Sequence, residues 1–474
     1  MTKLFGTCAT VAAATLLATT AGIASATADT GPRERPSPHQ DGVWQVDGYG
    51  TVVTIENGTL QQYDTTAISC LKGSTATRAT VDGDTIGYQA DNSRVLAVRV
   101  NPNRRQATLQ FTDAPDHRNL RRVAALPAAC SRPLPGDPRT TFDVFWRTFA
   151  ENYPFFAAKG VDWQAVGDRY RPRVGPNTTD DELFAIFREM LDPLDDAHLY
   201  LSGGPNRFFA EARPGTTAPT PELDTRIKAY IQERDLGADH PLTEYGQGRI
   251  SYTDLPDGQG YLRVSGFLGY VEDPKGGYAA NAAELDRALN SILSTERVGR
   301  LRGLIVDLRV NGGGADNLGL NLAARLTDRP YFAYAKQARN DPLDPTRFTR
   351  AQPIQVRPTP DVPHYTGPLA VLTGGSTVSA GETFTQSLMN RPGHTVRIGE
   401  ATQGVFSDVL DRALPNGWQF GLPNEVFRTR DGRTFDGTGI PPHITEPVFT
   451  DEEFTHHKDS AFDRATAELR SRTH

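Results

Sequence analysis

Apolar positions change their period along the chain, and each change predicts a different kind of structure. Between 42 and 129 they fall in short alternating runs such as GTVVTI (50–55), RVLAVRV (94–100) and ATLQF (107–111). Alternation marks strands with one face in a core and the other in water. The runs are separated by ENG (56–58), DGD (82–84) and NPN (101–103), residues whose backbone preferences make tight hairpin turns. The spacing predicts a small antiparallel β domain over 41–130, a barrel or a sandwich.

Past SRPLPG (131–136) the period lengthens. Phe142, Phe145, Trp146 and Phe149 stand at i, i+3, i+4 and i+7, one apolar face of a helix. A second amphipathic stretch covers 162–170. A third opens on the capping residues TTDD (178–181) and carries Leu183, Ile186, Phe187, Met190 and Leu191 on one face. Together they predict a helical region over 137–203, ending near His198, which the resemblance named below implies to be a helical cap. Residues 204–248, rich in Gly, Pro, Thr and charge, read as an insertion or lid.

From 249 to 450 strands and helices alternate. GLIVDL (303–308) is a continuous apolar run, the pattern of a strand covered on both faces. Further strands are expected at 260–264, 368–372, 395–398 and 418–422, with helices over 279–293 and 317–326. This order predicts an α/β domain with a mostly parallel sheet. A C-terminal helix is expected within 451–474.

Length and composition add context. A chain of 474 residues exceeds one ordinary core, so several domains are expected. A net charge of -7 and the lack of a long basic run argue against a nucleic-acid partner. Lys3, an Ala-rich apolar stretch to Ile23 and small residues at Ala24, Ala26 and Ala28 predict a signal peptide over 1–28. A Pro-containing linker, 29–40, follows. The expected location is therefore secreted or extracytoplasmic, without stable membrane insertion after cleavage. Removal of Cys8 leaves Cys70 and Cys130, and an oxidising compartment makes their disulfide the expectation.

Candidate chemistry begins at TGGSTVSAGE (373–382). An apolar strand breaks at glycines and re-forms as a helix through small hydroxyl residues, a natural mount for a nucleophile. Ser379 is the candidate. The glycine turn at 312–314, directly after a buried strand, lets backbone approach a ligand and can supply one oxyanion N–H; the N–H of Ala380 would be the second. Nucleotide loops, HExxH and GxSxG are all absent, so no cofactor or metal is expected. No lysine lies between 337 and 457, so a base a few dozen residues past Ser379 is not lysine. His198, His364, His394 and His443 are the candidates.

LDDAH (194–198), GLIVDLRVNGGG (303–314), TVSAGE (377–382), IGEATQG (398–404) and FDGTGIPP (435–442), in this order, resemble the tail-specific, or C-terminal processing, serine peptidase family. The likeness is nearest to its tricorn-core branch, and no stretch resembles a PDZ domain. It covers about 139–450 and leaves out the N-terminal β domain. The resemblance implies a catalytic domain of the Clp protease/crotonase-like type and a peptide or protein substrate. It further implies Ser379 as nucleophile, His198 as base, Asp436 as the acid orienting it, and Gly314 and Ala380 as oxyanion donors. Asp436 stands where the family has Glu, Ala197 where tricorn has Ser, and His443 where the family has Asp. A non-catalytic ligand binder on the same fold and an esterase or amidase for small acyl substrates are the alternative readings. Oligomeric state is not legible.

Overall fold

The computed structural model describes residues 40–91 and 94–472. The expected signal peptide, and the expected linker up to residue 39, lie outside the described residues.

Eight antiparallel strands, from Gly42–Val46 to Arg118–Val123, close into a barrel, the first pairing with the last from Val43↔Val123 to Val46↔Leu120. Closure removes the free sheet edges that a sandwich of these strands would expose. Alternate residues of the predicted runs, Val53 and Ile55, Leu96 and Val98, fill its core with Trp44 and Tyr88. Asn57 and Gly58 have φ of 52° and 79°, as the tightest hairpin turn between right-twisted strands requires. A disulfide joins Cys70 to Cys130 and ties the strand Cys70–Asp82 to the turn Ala128–Ser131 beyond the barrel.

Three helices follow, Pro138–Asn152, Trp163–Tyr170 and Asp180–Leu191. Asp137 caps the first by accepting from the N–H groups of Arg139 and Thr140, and Thr179 with Glu182 forms a capping box on the third. Their predicted apolar faces are the buried ones. Phe145 stacks on Phe187 at 4.0 Å and meets Phe420 at 5.2 Å.

Phe420 lies in Gln419–Pro423, a strand expected in the parallel sheet. It instead pairs antiparallel with Tyr200–Ser202 in a separate four-stranded sheet. The reason is its apolar face: Phe420 and Leu422 complete the core of the three helices. The strand Tyr200–Ser202 starts two residues after His198, so this sheet fixes the end of the segment that carries it.

The principal sheet has seven strands, in the order Thr243–Tyr245, Ile250–Asp254, Gln259–Val264, Gly303–Asp307, Leu369–Thr373, Thr395–Gly399 and Ile444–Thr445. Pairing is parallel from Gln259–Val264 onward. Its apolar runs are covered on both faces. Leu304 and Val306 pack with the helices Gly277–Ile292, Asp316–Ala324 and Ala380–Ser387, while Ile305 packs with Pro221–Ile231 and Ser460–Arg470. Much of 204–248 is thus built into this domain. Ile227 and Ile231 are core residues, and Thr243–Tyr245 is a sheet strand. The C-terminal segment forms two helices, Asp451–Thr455 and Ser460–Arg470, rather than one.

The barrel is keyed to the α/β domain by buried charge. Lys336 Nζ, 1% exposed, lies 2.8 Å from Asp116 of a barrel loop, 3.0 Å from Asp408 and 3.2 Å from Glu425. The Tyr49 hydroxyl donates to Glu425 at 2.7 Å. An ammonium taken out of water is stable only among several acceptors, and here they come from both domains.

Candidate active site

The strand Leu369–Thr373 ends in a hinge of side-chain anchors. Thr377 Oγ1 donates to the Leu308 carbonyl at 2.7 Å and accepts from the Gly374 N–H at 3.1 Å. Ser376 and Thr377 pair in parallel with Val310 and Asn311, holding the serine turn beside the glycine turn. Ser379 follows with φ 55° and ψ -118°, a conformation that costs an L-residue of order 1–3 kcal/mol and persists where the surroundings impose it. The helix Ala380–Ser387 begins immediately after it.

Opposite stand the glycines. Gly313 has φ 80°, and a Cβ on it would lie 2.7 Å from Ser379 Cβ and 3.3 Å from the Ala380 nitrogen. Gly314 has φ 134°, and a Cβ there would fall 2.4 Å from Phe267 backbone. Three N–H groups of this stretch are engaged: Gly312 to the Ser265 carbonyl, Gly313 to Asn311 Oδ1 and Ala315 to the Phe267 carbonyl. The N–H groups of Gly314 and Ala380 have no acceptor among the described residues. One of these groups directly follows Ser379 and the other directly follows Gly313, whose Cβ position abuts Ser379; unengaged N–H groups are what an oxyanion needs.

Glu382 fastens this turn to the next segment. Its carboxylate receives four donors: the Thr402 hydroxyl and Gly404 N–H at 2.6 Å, the Val405 N–H at 2.8 Å and the Ser379 N–H at 3.3 Å. Burial pushes the carboxyl up to about 8, against the pull of these donors. We read it as ionised, because Thr402 Oγ1 already accepts from the Ile440 N–H and no acceptor faces the carboxyl.

His198 is held by its neighbour. Asp196 accepts the His198 N–H at 3.0 Å and the Tyr153 hydroxyl at 2.8 Å. Burial pushes the imidazole below 6.5, while the charges of Asp196 and Asp408 and a backbone hydrogen bond with Ser407 work the other way. Nδ1 is buried with no protein partner among the described residues. Asp408 is a fixed anion: burial would raise its carboxyl, but Lys336 and Arg94 hold it at about 2.

Asp436, the acid that the resemblance implies, has hydrogen-bond partners of its own. It accepts from the Thr434 hydroxyl and from the Phe406 N–H, and no hydrogen bond or ion pair joins it to His198 among the described residues. Burial pushes it up to about 7, opposed by the Thr434 hydroxyl and reinforced by Asp196. Each of its oxygens thus accepts one hydrogen bond from within 406–434. No hydrogen bond joins Ser379 to His198 either. Of the other histidines, His364 bonds the Thr359 carbonyl and His443 accepts from the Arg397 N–H.

What unites these groups is a strip absent from the sequence reading. The Val405 carbonyl accepts from Ser379 at 3.2 Å and the Phe406 N–H reaches Asp436 at 3.4 Å, while the next residue, Ser407, favours the charged His198 ring through its backbone. The apolar VF (405–406) gives no chemical signal, because these contacts are made by backbone. Glu382 is the exception: its acidic side chain within TVSAGE (377–382) is a signal the sequence does carry.

This architecture is a multi-domain serine peptidase fold. Residues 258–446 match the sequence profile of Peptidase family S41, and residues 136–192 match the Tricorn protease C1 domain. The chain is thus a serine peptidase of the tail-specific, tricorn-like S41 kind. Among solved structures, a putative peptidase from Parabacteroides merdae is 26% identical, with 70% of this chain and 96% of that chain covered and a TM-score of 0.58. Mature CPAF complexed with lactacystin is 14% identical, with 71% and 97% covered and a TM-score of 0.50, a likeness of fold. No curated protein matches the chain in sequence. Its family implies a peptide or protein substrate, and no helix among the described residues is long and apolar enough to cross a membrane.

Proposed function

We propose that the chain is an exported peptidase that cleaves peptide bonds through an acyl-enzyme on Ser379, with His198 as general base and the N–H groups of Gly314 and Ala380 as oxyanion donors. His198 takes the Ser379 proton as Oγ attacks the carbonyl, then returns it to the leaving amine, and water resolves the ester. Asp196 and Asp408 are the anions that steady the imidazolium, and Asp436 is left outside the relay. The Ser379–His198 hydrogen bond forms when substrate closes the site, as such contacts are commonly loose without it. Residues 137–203 act in this reading as a cap delivering His198 to an α/β core of the Clp protease/crotonase-like type. Export rests on the N-terminal sequence.

The observation that carries the reading is the strained Ser379 backbone beside two unengaged N–H groups. The test is covalent labelling by a serine-reactive phosphonate together with peptide turnover. Ser379→Ala should abolish both, and His198→Ala should slow both by at least about 100-fold, the lower range for a general base. Labelling that survives Ser379→Ala overturns the nucleophile.

A further inference from the structure

A cleft of about 1120 Å³ opens beside the glycine turn, with barrel residues Gln89, Val95 and Thr112 on one wall and Arg249, Leu268 and Tyr278 on the other. It is larger than the 740 Å³ cavity between the barrel and the first helix, whose lining includes none of the proposed catalytic groups. The barrel wall is held in place from the site side. Asn317, three residues past Gly314, donates to the carbonyls of Thr112 and Ala114 at 2.9 and 3.0 Å, and its own N–H reaches the Asp113 carbonyl at 3.3 Å.

Charge on the two walls differs. On the barrel side, Asp113 is engaged by Arg94 at 2.9 Å. On the opposite side Asp273 accepts the Lys275 N–H at 2.9 Å. Arg249 is exposed, and no carboxylate or carbonyl among the described residues accepts from its guanidinium. That guanidinium borders two glycines: a Cβ on Gly269 would sit 3.0 Å from Nε, and one on Gly266 would sit 3.0 Å from Nη1 and 3.4 Å from the Gly313 carbonyl. The cation is thereby set directly next to the oxyanion turn. Leu268, 47% exposed, adds an apolar surface beside it.

Resting on the peptidase reading above, we infer that this cleft holds the substrate chain, that the barrel is its second wall, and that Arg249 selects a peptide bearing a carboxylate near the scissile bond. A guanidinium with a free fork is suited to a carboxylate over any neutral group. That carboxylate is an acidic side chain or a free C-terminus. The volume exceeds the range of about 300–1,000 Å³ that encloses drug-sized ligands, as a several-residue segment needs.

The experiment measures binding of fluorescent peptides to the full chain carrying Ser379→Ala, so that no turnover intervenes. Four peptides are compared: Glu or its Gln isostere near the scissile position, each with a free or an amidated C-terminus. Adding Arg249→Ala should weaken the carboxylate-bearing peptides at least about tenfold and leave the doubly neutral peptide within about twofold. The neutral member of the pair that loses this sensitivity identifies the source of the carboxylate. Gln89→Trp, at an exposed strand position on the barrel wall, should weaken all four. Equal loss for all peptides on Arg249→Ala, or no loss with Gln89→Trp, overturns the inference. Active-site labelling of the parent chain is scored separately: its absence rejects the peptidase reading, and peptide binding then still reports on the cleft.

Discussion

The Ser379 N–H donates to the Val405 carbonyl at 3.2 Å, so Ser379 hangs from a strip whose next N–H, that of Phe406, donates to Asp436. The Val405 carbonyl and the Phe406 N–H are parts of one trans peptide and point to opposite sides of the chain. Ser379 and Asp436 therefore meet this peptide from opposite edges. The backbone of Ser407, one residue further, favours the charged His198 ring. Ser379 and Asp436 are thus joined through one backbone peptide.

Asp436→Asn tests this link against a side-chain relay. Where an acid orients the base, Asp→Asn lowers kcat about 10⁴-fold. Here the loss should stay within about tenfold, since Asn Oδ1 can still accept from the Phe406 N–H while its amide donates to the Thr434 hydroxyl, which turns from donor to acceptor. Stability should respond with a defined sign. Burial pushes the folded carboxyl up to about 7 from an ordinary 3.8, so the folded state keeps a proton that the unfolded chain releases. Wild type is penalised increasingly from pH about 4 to about 7, then evenly above. Asp436→Asn should gain on wild type across that window, by on the order of 1–4 kcal/mol in denaturant titrations. A 10⁴-fold fall in kcat would restore Asp436 as the orienting acid.

The pH profile tests His198. Its imidazole must be neutral to act as base, and burial holds its titration below 6.5. The acid limb of kcat/KM should therefore lie below 6.5 and shift lower in Asp408→Asn, which removes an anion that favours the protonated ring. A limb above 6.5, or an upward shift in Asp408→Asn, would exclude His198 as the titrating base.

Much of this was written in the sequence because it depends on side-chain pattern. The aromatic face of Phe142, Phe145 and Phe149, the hairpin pair Asn57-Gly58 and the two-sided strand Gly303–Asp307 each follow from local periodicity or turn chemistry. The serine and glycine turns were legible for the same reason, and five co-linear motifs located them. What stayed hidden is made by backbone over long separations. Val405, Phe406 and Ser407 contact their partners through peptide groups that any residue carries. Pairing of Gln419–Pro423 with Tyr200–Ser202 depends on which core claims Phe420, a tertiary choice outside any local window. The acid role implied for Asp436 came from a motif position, and position does not say where two oxygens point.

Glu382 should prove indispensable although it touches no substrate. Glu382→Gln keeps the shape but replaces one acceptor oxygen with a donor facing N–H or O–H groups. Each buried donor left unsatisfied costs about 1–3 kcal/mol. The thermal midpoint should fall and phosphonate labelling of Ser379 should collapse with it, because the same carboxylate fixes the Ser379 N–H and the strip. Thr402→Val removes one donor to the carboxylate and the acceptor of the Ile440 N–H but keeps the carboxylate on its three N–H donors, and should be milder in labelling than in thermal midpoint. Wild-type labelling by Glu382→Gln would show that the turn is held by other contacts.

Adjacent glycines provide the sharpest test of the oxyanion geometry. Gly312 is exposed, does not have a left-handed φ, and a Cβ on it would meet only Pro219 at 3.7 Å. Gly313 has φ 80°, and its Cβ would press on Ser379 Cβ at 2.7 Å, the carbonyl of Val378 at 3.1 Å and the Ala380 nitrogen at 3.3 Å. One methyl at 313 therefore strains the backbone and pushes the nucleophile from its donors; the same methyl one residue earlier does neither. Gly313→Ala should lower kcat about 10²–10³-fold, the scale of losing an oxyanion donor. Gly312→Ala should remain within about threefold of wild type, as exposed substitutions free of backbone strain do. Measuring both on one peptide, with thermal midpoints to confirm folding, discriminates steric loss at the oxyanion turn from a general intolerance of the glycine run. Equal damage at the two positions would mean that the turn needs flexibility rather than the close approach of Gly313 to Ser379.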